Sequence, residues 1–309
     1  MSVRSDDTIE QDRRCLQGVI SVFQTPYHVD ESIDFAALER EINWVFDCGA
    51  NGIAMAMVSE VLRLSTDERR ALAEAACRSA RGRGTVVISV GAESSKLAEE
   101  FARHAEQCGA QALMAIPPVT TALDEDELMR YFARILGACE LPLIVQDASG
   151  YVGRPMPVSL YWRLLDEHGE RVYFKPEATP IGPRLSALRE ATGGKARVFE
   201  GTGGMALVDS FRRGVVGTIP GADLVLGIVA LWQALEAGDD QRAYQLSLPI
   251  SALVSLQTSL DAFLAIEKYL LVKQGILSDA RIRGPVAFVL DEETRREVDR
   301  LFELVMRAL

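Results

Sequence analysis

The chain has 309 residues, 48% of them hydrophobic and 25% charged, with a formal net charge of −11 and a pI near 4.9. That is the composition of an ordinary soluble globular protein with a sizeable core. The acid excess, with no lysine–arginine stripe interleaved with aromatics, argues against nucleic acid as a partner, and no apolar run reaches the length of a membrane span.

The opening Met1-Ser-Val-Arg-Ser-Asp-Asp lacks a secretory hydrophobic region. Five cysteines (Cys15, Cys48, Cys77, Cys108 and Cys139) are scattered without a CxxC pair. They fit a reducing cytoplasm and neither a disulfide framework nor a zinc site. The length allows two domains, but barrels of this size form one. The expected division is a lead segment 1–15, a barrel 16–238 and a helical extension 239–309.

Short β-like runs alternate along the chain with longer amphipathic stretches. In order they read strand Gly18–Gln24, helix Phe35–Cys48, strand Gly52–Met57, helix Thr66–Ala80, strand Thr85–Val90, helix Lys96–Cys108, strand Ala112–Ile116 and helix Glu125–Cys139. Strand Leu143–Gln146 follows, then helix Pro157–His168, strand Val172–Lys175, helix Gly182–Ala191, strand Val198–Glu200, helix Met205–Arg213, strand Val216–Ile219 and helix Leu224–Ala237. Ser65 with Glu68 reads as a capping box, and Gly49 and Gly109 stand where C-terminal glycines belong. Three more helices, Gln241–Leu256, Leu260–Gln274 and Glu292–Leu309, close the chain. Apolar strands in strict alternation with helices indicate a parallel sheet covered by helices. Eight such units, with no GxGxxG after the first strand, predict a (β/α)8 TIM barrel with a C-terminal helical extension rather than an open sheet.

Reactive groups in such a barrel lie at the C-terminal ends of the strands. Those positions hold Thr25-Pro26, Met57-Val58-Ser59-Glu60, Gly91-Ala92, Pro117-Pro118-Val119-Thr120, Asp147-Ala148-Ser149, Lys175, Glu200-Gly201 and Ile219-Pro220-Gly221. No cluster of histidines, cysteines or carboxylates occupies them, so neither a metal nor another cofactor is expected. His28, His104 and His168 read as surface residues. Asp147 and Glu200 each fit two readings, an acid or base of the reaction or a solvated carboxylate on the rim.

Lys175 ends the run Arg171-Val-Tyr-Phe-Lys175-Pro-Glu177-Ala-Thr179 and is the only strand-end lysine among five in the chain. A buried ammonium is costly unless paired or deprotonated. A neutral amine attacks carbonyl carbon to form a Schiff base. The plainer reading is a lysine that snorkels out of the strand end into water.

With this lysine on strand six, the chain resembles the dihydrodipicolinate synthase / N-acetylneuraminate lyase family of class I Schiff-base lyases, from about Leu16 to the C-terminus. The resemblance rests on Gly18-Val-Ile-Ser-Val-Phe-Gln-Thr-Pro26, on Gly49-Ala-Asn-Gly-Ile53 followed by Ser59-Glu60, and on Leu64-Ser65-Thr-Asp-Glu-Arg69. Gly91-Ala92, Lys175, Gly201-Thr-Gly-Gly204 and Gly214-Val-Val-Gly-Thr-Ile-Pro-Gly221 complete it. It implies that Lys175 forms a Schiff base with the keto carbon of pyruvate or another 2-oxo acid, the protonated imine then serving as electron sink. It also implies that the Ser59-Glu60 turn holds the substrate carboxylate, that Gly201 and the Ile219 backbone lie near the keto acid, and that the protein is a homotetramer built from dimers.

The departures from the family pattern are specific. Val119 stands where the family has a proton-shuttling tyrosine on strand four, and with Ser59, Glu60, Gly201 and Ile219 it is counted among the expected substrate-binding residues. Met57 and Val58 replace its paired threonines, with Ser59 in place of a glycine. Tyr151 stands roughly where the synthases have a basic residue for a second carboxylate, and Lys-Pro-Glu-Ala-Thr is one residue longer than their Lys-Glu-Ala-Thr. These differences speak against dihydrodipicolinate synthesis itself. They leave Tyr151 or Asp147 to transfer protons from strand five, with a rim aromatic as the plainer reading of Tyr151. The expected activity is that of an aldolase or dehydratase acting on pyruvate or a sugar-derived 2-oxo acid. The alternative is a member that binds a keto acid or small anion without turnover, as a sensor or scaffold. Asp147, Tyr151 and Ser59 converging within hydrogen-bond reach of the Lys175 amine would keep catalysis plausible. Met55, Met57 and Val119 filling the space above Lys175 would favour the non-catalytic alternative. Leu253, Leu256, Leu260, Phe263 and Leu264 either cap the barrel or face a partner subunit. The loop after strand three has no aromatic to lend to a neighbour's site.

Overall fold

The computed structural model describes residues 16–309; the lead segment 1–15, with Cys15, lies outside them. Strands and helices alternate as β1 (Gly18–Val22), α1 (Phe35–Asp47), β2 (Gly52–Ala54), α2 (Thr66–Ser79), β3 (Thr85–Ser89), α3 (Ser95–Cys108), β4 (Ala112–Ala115) and α4 (Glu125–Leu136). They continue as β5 (Leu143–Asp147), α5 (Val158–His168), β6 (Val172–Pro176), α6 (Ile181–Ala191), β7 (Phe199–Glu200), α7 (Leu207–Arg212), β8 (Gly217–Thr218) and α8 (Val225–Glu236). The helices α9 (Asp240–Val254), α10 (Leu260–Lys273) and α11 (Glu292–Ala308) follow.

All strand pairs are parallel, in the order β6-β5-β4-β3-β2-β1-β8-β7. A parallel bridge between Phe174 and Val198, with the Phe174 N–H donating to the Arg197 carbonyl at 3.0 Å, joins β6 to β7 and closes the barrel. β1 and β2 are shorter than the predicted strands, although Phe23 and Met55 still donate their N–H groups to the Ala54 and Val87 carbonyls of neighbouring strands at 3.2 and 2.9 Å.

Local signals set the helix ends. Ser65 and Glu68 exchange hydrogen bonds as a capping box at the start of α2. Gly109 ends α3 at φ +87, a conformation that a side chain would strain. Strand alternation then sorts the apolar side chains into two layers. Val19, Ile53, Leu113, Val145 and Phe174 face the helices, while Ile20, Met114, Ile144, Tyr173 and Phe199 fill the lower barrel.

The appended helices pack on this chain's own core. Leu253 and Leu264 are fully buried and Phe263 nearly so, with Leu256 and Leu260 partly covered. Of the two readings of these residues, the structure selects the cap for the three buried ones. Cys48, Cys77, Cys108 and Cys139 are free thiols. No described helix is long and apolar enough to cross a membrane.

Candidate active site

Above the apolar floor the inward positions turn polar. Tyr173, Lys175 and Glu177 succeed one another at spacings of two on β6 and its continuation, so they share the inner face. Register sets Gln146 of β5 beside Lys175. The Lys175 Nζ donates to Glu177 Oε1 at 2.6 Å, and Gln146 Nε2 donates to Glu177 Oε2 at 2.7 Å. All three side chains are buried. Lys175 therefore does not snorkel; it ends inside the barrel against a carboxylate.

Burial pushes the Glu177 carboxyl above the usual range, and Glu200 adds to this, while the charge and hydrogen bond of Lys175 and the amide of Gln146 pull it down. Glu200, also buried, has no free edge. Its Oε1 accepts the Thr202 N–H at 2.6 Å together with the Thr202 hydroxyl, and its Oε2 accepts the Thr218 hydroxyl at 2.7 Å. Glu200 thus ties the ends of β7 and β8 together and is not a solvated rim carboxylate.

A cavity opens over the Lys175–Glu177 pair, with about 40 Å³ open to the centre of a water molecule. This is room for a few waters or the head of a small acid. Ala56, Met57 and Val58 wall one side, Gly201 and Ile219 another, and Tyr151, Leu260 and Phe263 the mouth. Gly201 is required by contact: a Cβ there would fall 2.7 Å from Glu177 Cγ and 3.1 Å from Lys175 Cε. Tyr151 packs edge-to-face on Phe263, with ring centroids 5.5 Å apart. Burial, then the charges of Glu177, Glu200 and Glu267, raises its phenol well above the ordinary range. At neutral pH it is a hydrogen-bond donor.

Of the residues read as site candidates, the structure brings Lys175, Tyr151, Gly201 and Ile219 together on this cavity. The other four lie elsewhere. Asp147 follows Gln146 by one residue, so it faces the helix layer. There it accepts the N–H groups of Ser149 and Met156 at 3.1 and 2.9 Å and the Tyr161 hydroxyl at 3.2 Å, near Arg184. Ser59 donates its hydroxyl to the Phe23 carbonyl at 2.6 Å and accepts the Ala56 N–H at 3.1 Å, which closes the turn Met57–Ser59. Glu60 adopts φ +58 and swings to Lys268. Ala56, Met57 and Val58 thus take the wall that the Ser59-Glu60 turn was expected to supply. Val119 lies outside the cavity wall, its N–H donating to Glu93 at 2.9 Å, although it packs on the same apolar cluster as Tyr151.

Besides Gln146, two groups of the site escaped the sequence reading. Glu177 is one; its signal was the spacing of two from Lys175. The other is Glu267 of α10, which reaches the cavity wall and hydrogen-bonds Gln24. Burial, with the nearby Asp223 and Glu41 carboxylates, raises its pKa well above the usual range. A charged residue inside a helix carries no mark of such burial. Among the described residues, the group of His, Cys and carboxylate ligands close enough to share an ion is Glu74, His104 and Cys108 on the outer helices.

The sequence model of the Dihydrodipicolinate synthetase family matches residues 15–304. L-2-keto-3-deoxyarabonate dehydratase of Azospirillum brasilense is 26% identical over 303 residues, covering 94% of this chain and 96% of that protein. Dihydrodipicolinate synthase from Rhodopseudomonas palustris has a similar structure, with a TM-score of 0.85 at 23% identity, covering 94% of this chain and 97% of that one. The sialic acid aldolase of Ruminococcus gnavus gives 0.83 at 20% identity, covering 94% and 97%. At such identities the two structures speak for the fold.

Proposed function

This chain belongs to the dihydrodipicolinate synthetase family, and on that premise we propose that it is a Schiff-base-forming lyase acting on a 2-oxo acid through Lys175. The observation that carries the reading is the buried Lys175 amine at the base of an open cavity at the C-terminal end of β6. An amine so placed adds to a keto carbon, and the resulting protonated imine draws electrons from the neighbouring carbon.

The cavity supports a sugar-derived 2-oxo acid better than a second carboxylic acid. Lys175 is the only cation among the described residues that line it, and Glu177 and Glu267 stand on its walls. Tyr151 and Gln146 offer neutral hydrogen-bonding groups suited to hydroxyls. The likeness to a 2-keto-3-deoxy acid dehydratase along nearly the whole chain favours loss of water over carbon–carbon cleavage. Of the three side chains whose packing would have favoured binding without turnover, Met57 alone lines the cavity, and the space above Lys175 is open. Of Asp147, Tyr151 and Ser59, whose convergence on the amine would have favoured catalysis, Tyr151 alone reaches the cavity. Assembly as a homotetramer, each subunit with a complete site, is part of the proposal.

The test is incubation with pyruvate or a 2-keto-3-deoxy sugar acid, followed by borohydride and intact-mass measurement. The wild type is expected to gain the mass of one reduced adduct and Lys175→Ala none. A wild type left unmodified by pyruvate and by a panel of larger 2-oxo acids would overturn the reading.

A further inference from the structure

We propose that Glu177 is the acid–base group of imine formation, carrying protons between Lys175 Nζ and the oxygen of the incoming keto group. The inference rests on the Schiff-base reading of Lys175 and names the residue that does the work of the tyrosine replaced by Val119.

Geometry singles out this carboxylate. Glu177 Oε1 is 2.6 Å from the amine that reacts, and Gln146 holds the other oxygen at 2.7 Å. Gly201 leaves the space in which the two side chains lie side by side, since any Cβ there would meet both. The rival groups are otherwise engaged. Asp147 is on the opposite face of β5, bound to Met156 and Tyr161. Both oxygens of Glu200 are taken by Thr202 and Thr218. Glu267 is bound to Gln24. Tyr151 packs on Phe263 at the cavity mouth and stays protonated at neutral pH, a donor rather than a base. Burial makes the protonated form of Glu177 easier to reach.

The proton inventory closes without an outside reagent. The ammonium of Lys175 first passes one proton to Glu177 along their hydrogen bond, leaving a neutral amine and a carboxylic acid. The nitrogen lone pair then attacks the keto carbon; a C–N bond forms and the C=O π pair moves to oxygen. Glu177 gives its proton to that oxygen and takes one from the nitrogen, leaving a neutral carbinolamine and a carboxylic acid. Glu177 then protonates the hydroxyl, the C–O bond breaks with loss of water, and the nitrogen lone pair forms C=N. An ammonium, a carboxylate and a ketone have become a protonated imine, the same carboxylate and one water.

The experiment follows the rate of adduct formation with pyruvate by quenching samples with borohydride at successive times. Glu177→Gln keeps the side-chain volume but cannot carry a proton. It is expected to form the adduct ~10²- to 10⁴-fold more slowly than wild type and to reach the same final extent. Glu177→Ala is expected to be equally slow and to speed up with added formate in proportion to its concentration, a rescue that a purely structural role would not give. The proposal is overturned if Glu177→Gln reacts at the wild-type rate, or if formate leaves Glu177→Ala unchanged. Should Glu177→Gln fail to fold, as judged by its thermal transition, the formate series on Glu177→Ala decides alone. A wild type that forms no adduct with any 2-oxo acid strikes down the functional reading itself, and this proposal with it.

Discussion

Lys268 of α10 sets its ammonium 2.5 Å from a Glu60 carboxylate oxygen and 2.8 Å from the Thr25 carbonyl, so the appended helices are pinned to the barrel rim by one charge. The Arg281 carbonyl is a third acceptor at 2.7 Å. Both side chains of the pair are fully buried. Burial lowers the lysine pKa while Glu60 and Glu41 oppose the shift. Removing one partner of such a pair strands the other charge, whereas removing both costs less. Lys268→Met is therefore expected to lose ~3–5 kcal/mol of stability, and Lys268→Met with Glu60→Gln to recover part of it. Urea unfolding of the two variants and the wild type measures this. A single variant within ~0.5 kcal/mol of wild type would show that the pair does not fasten the helices.

The barrel was legible because its strands are apolar throughout and its helices carry their own start and stop signals. Lys175 was legible because few lysines end an apolar run. The rest of the site depends on faces and turns that residue order does not announce. Asp147 and Gln146 are neighbours, and register alone decides that Gln146 looks in and Asp147 out. Ser59 is a turn hydroxyl like many that bind anions, but here it closes its own turn. Glu177 could have been found by extending the strand pattern two residues past Lys175, across a proline that reads as the strand's end. Lys268 and Glu267, inside a helical stretch, gave no sign that one is fully buried beside the rim and the other lines the cavity.

Three buried carboxylates give the stability a definite pH dependence. Burial raises Glu41 to about 8 and Asp223 to about 7, and Glu267 rises well above its usual range. Each folded-state pKa lies above the unfolded value, so between the two the folded state holds more protons and stability falls as pH rises. The favourable contribution is complete below the unfolded pKa values, near 4, and lost as pH climbs through about 7 for Asp223 and about 8 for Glu41. Urea unfolding at about pH 5, 7 and 9 should show stepwise loss. Glu41→Gln, which keeps an acceptor for the Gln24 N–H, should flatten the part of the curve that ends near 8 and be more stable than wild type at about pH 9. A variant that tracks the wild type at every pH would contradict this origin.

Gly201 offers a test of the crowding at the centre. A methyl group at this position would lie within 3.1 Å of both Glu177 and Lys175, too close for either to keep its place. Gly201→Ala is expected to cost ~1–3 kcal/mol as an overpacked site and to slow pyruvate adduct formation more than ~10-fold, since about an ångström of misplacement has large kinetic effects. Wild-type adduct kinetics in a folded Gly201→Ala protein would mean that the spacing around Lys175 is not critical.

The proposed homotetramer would carry a complete site in every subunit. Ala56, Tyr151, Lys175, Glu177 and Ile219, which surround the cavity, all come from one chain. Closed symmetric assembly should give a light-scattering mass near four times the 33.9 kDa of one chain. A mass near that of one chain at micromolar concentration would exclude the tetramer.

Replacing Tyr151 is expected to separate imine formation from the later bond-breaking step. Its ring closes the cavity mouth against Phe263, and its hydroxyl, with a pKa raised by burial and by Glu177, Glu200 and Glu267, serves as a donor at neutral pH. Its proton is held too tightly to serve Lys175, where Glu177 is already in contact. The donor is better suited to a substrate oxygen beyond the keto carbon, such as a departing hydroxyl. Tyr151→Phe keeps the ring and should change stability by less than ~1 kcal/mol. Pyruvate, which lacks that hydroxyl, should still form its adduct at close to the wild-type rate. Turnover of a 2-keto-3-deoxy sugar acid should fall ~10- to 100-fold, the cost of one hydrogen bond made to a developing charge. Equal losses with both compounds would assign the phenol to imine formation instead, and no loss with either would make it a rim aromatic that only packs.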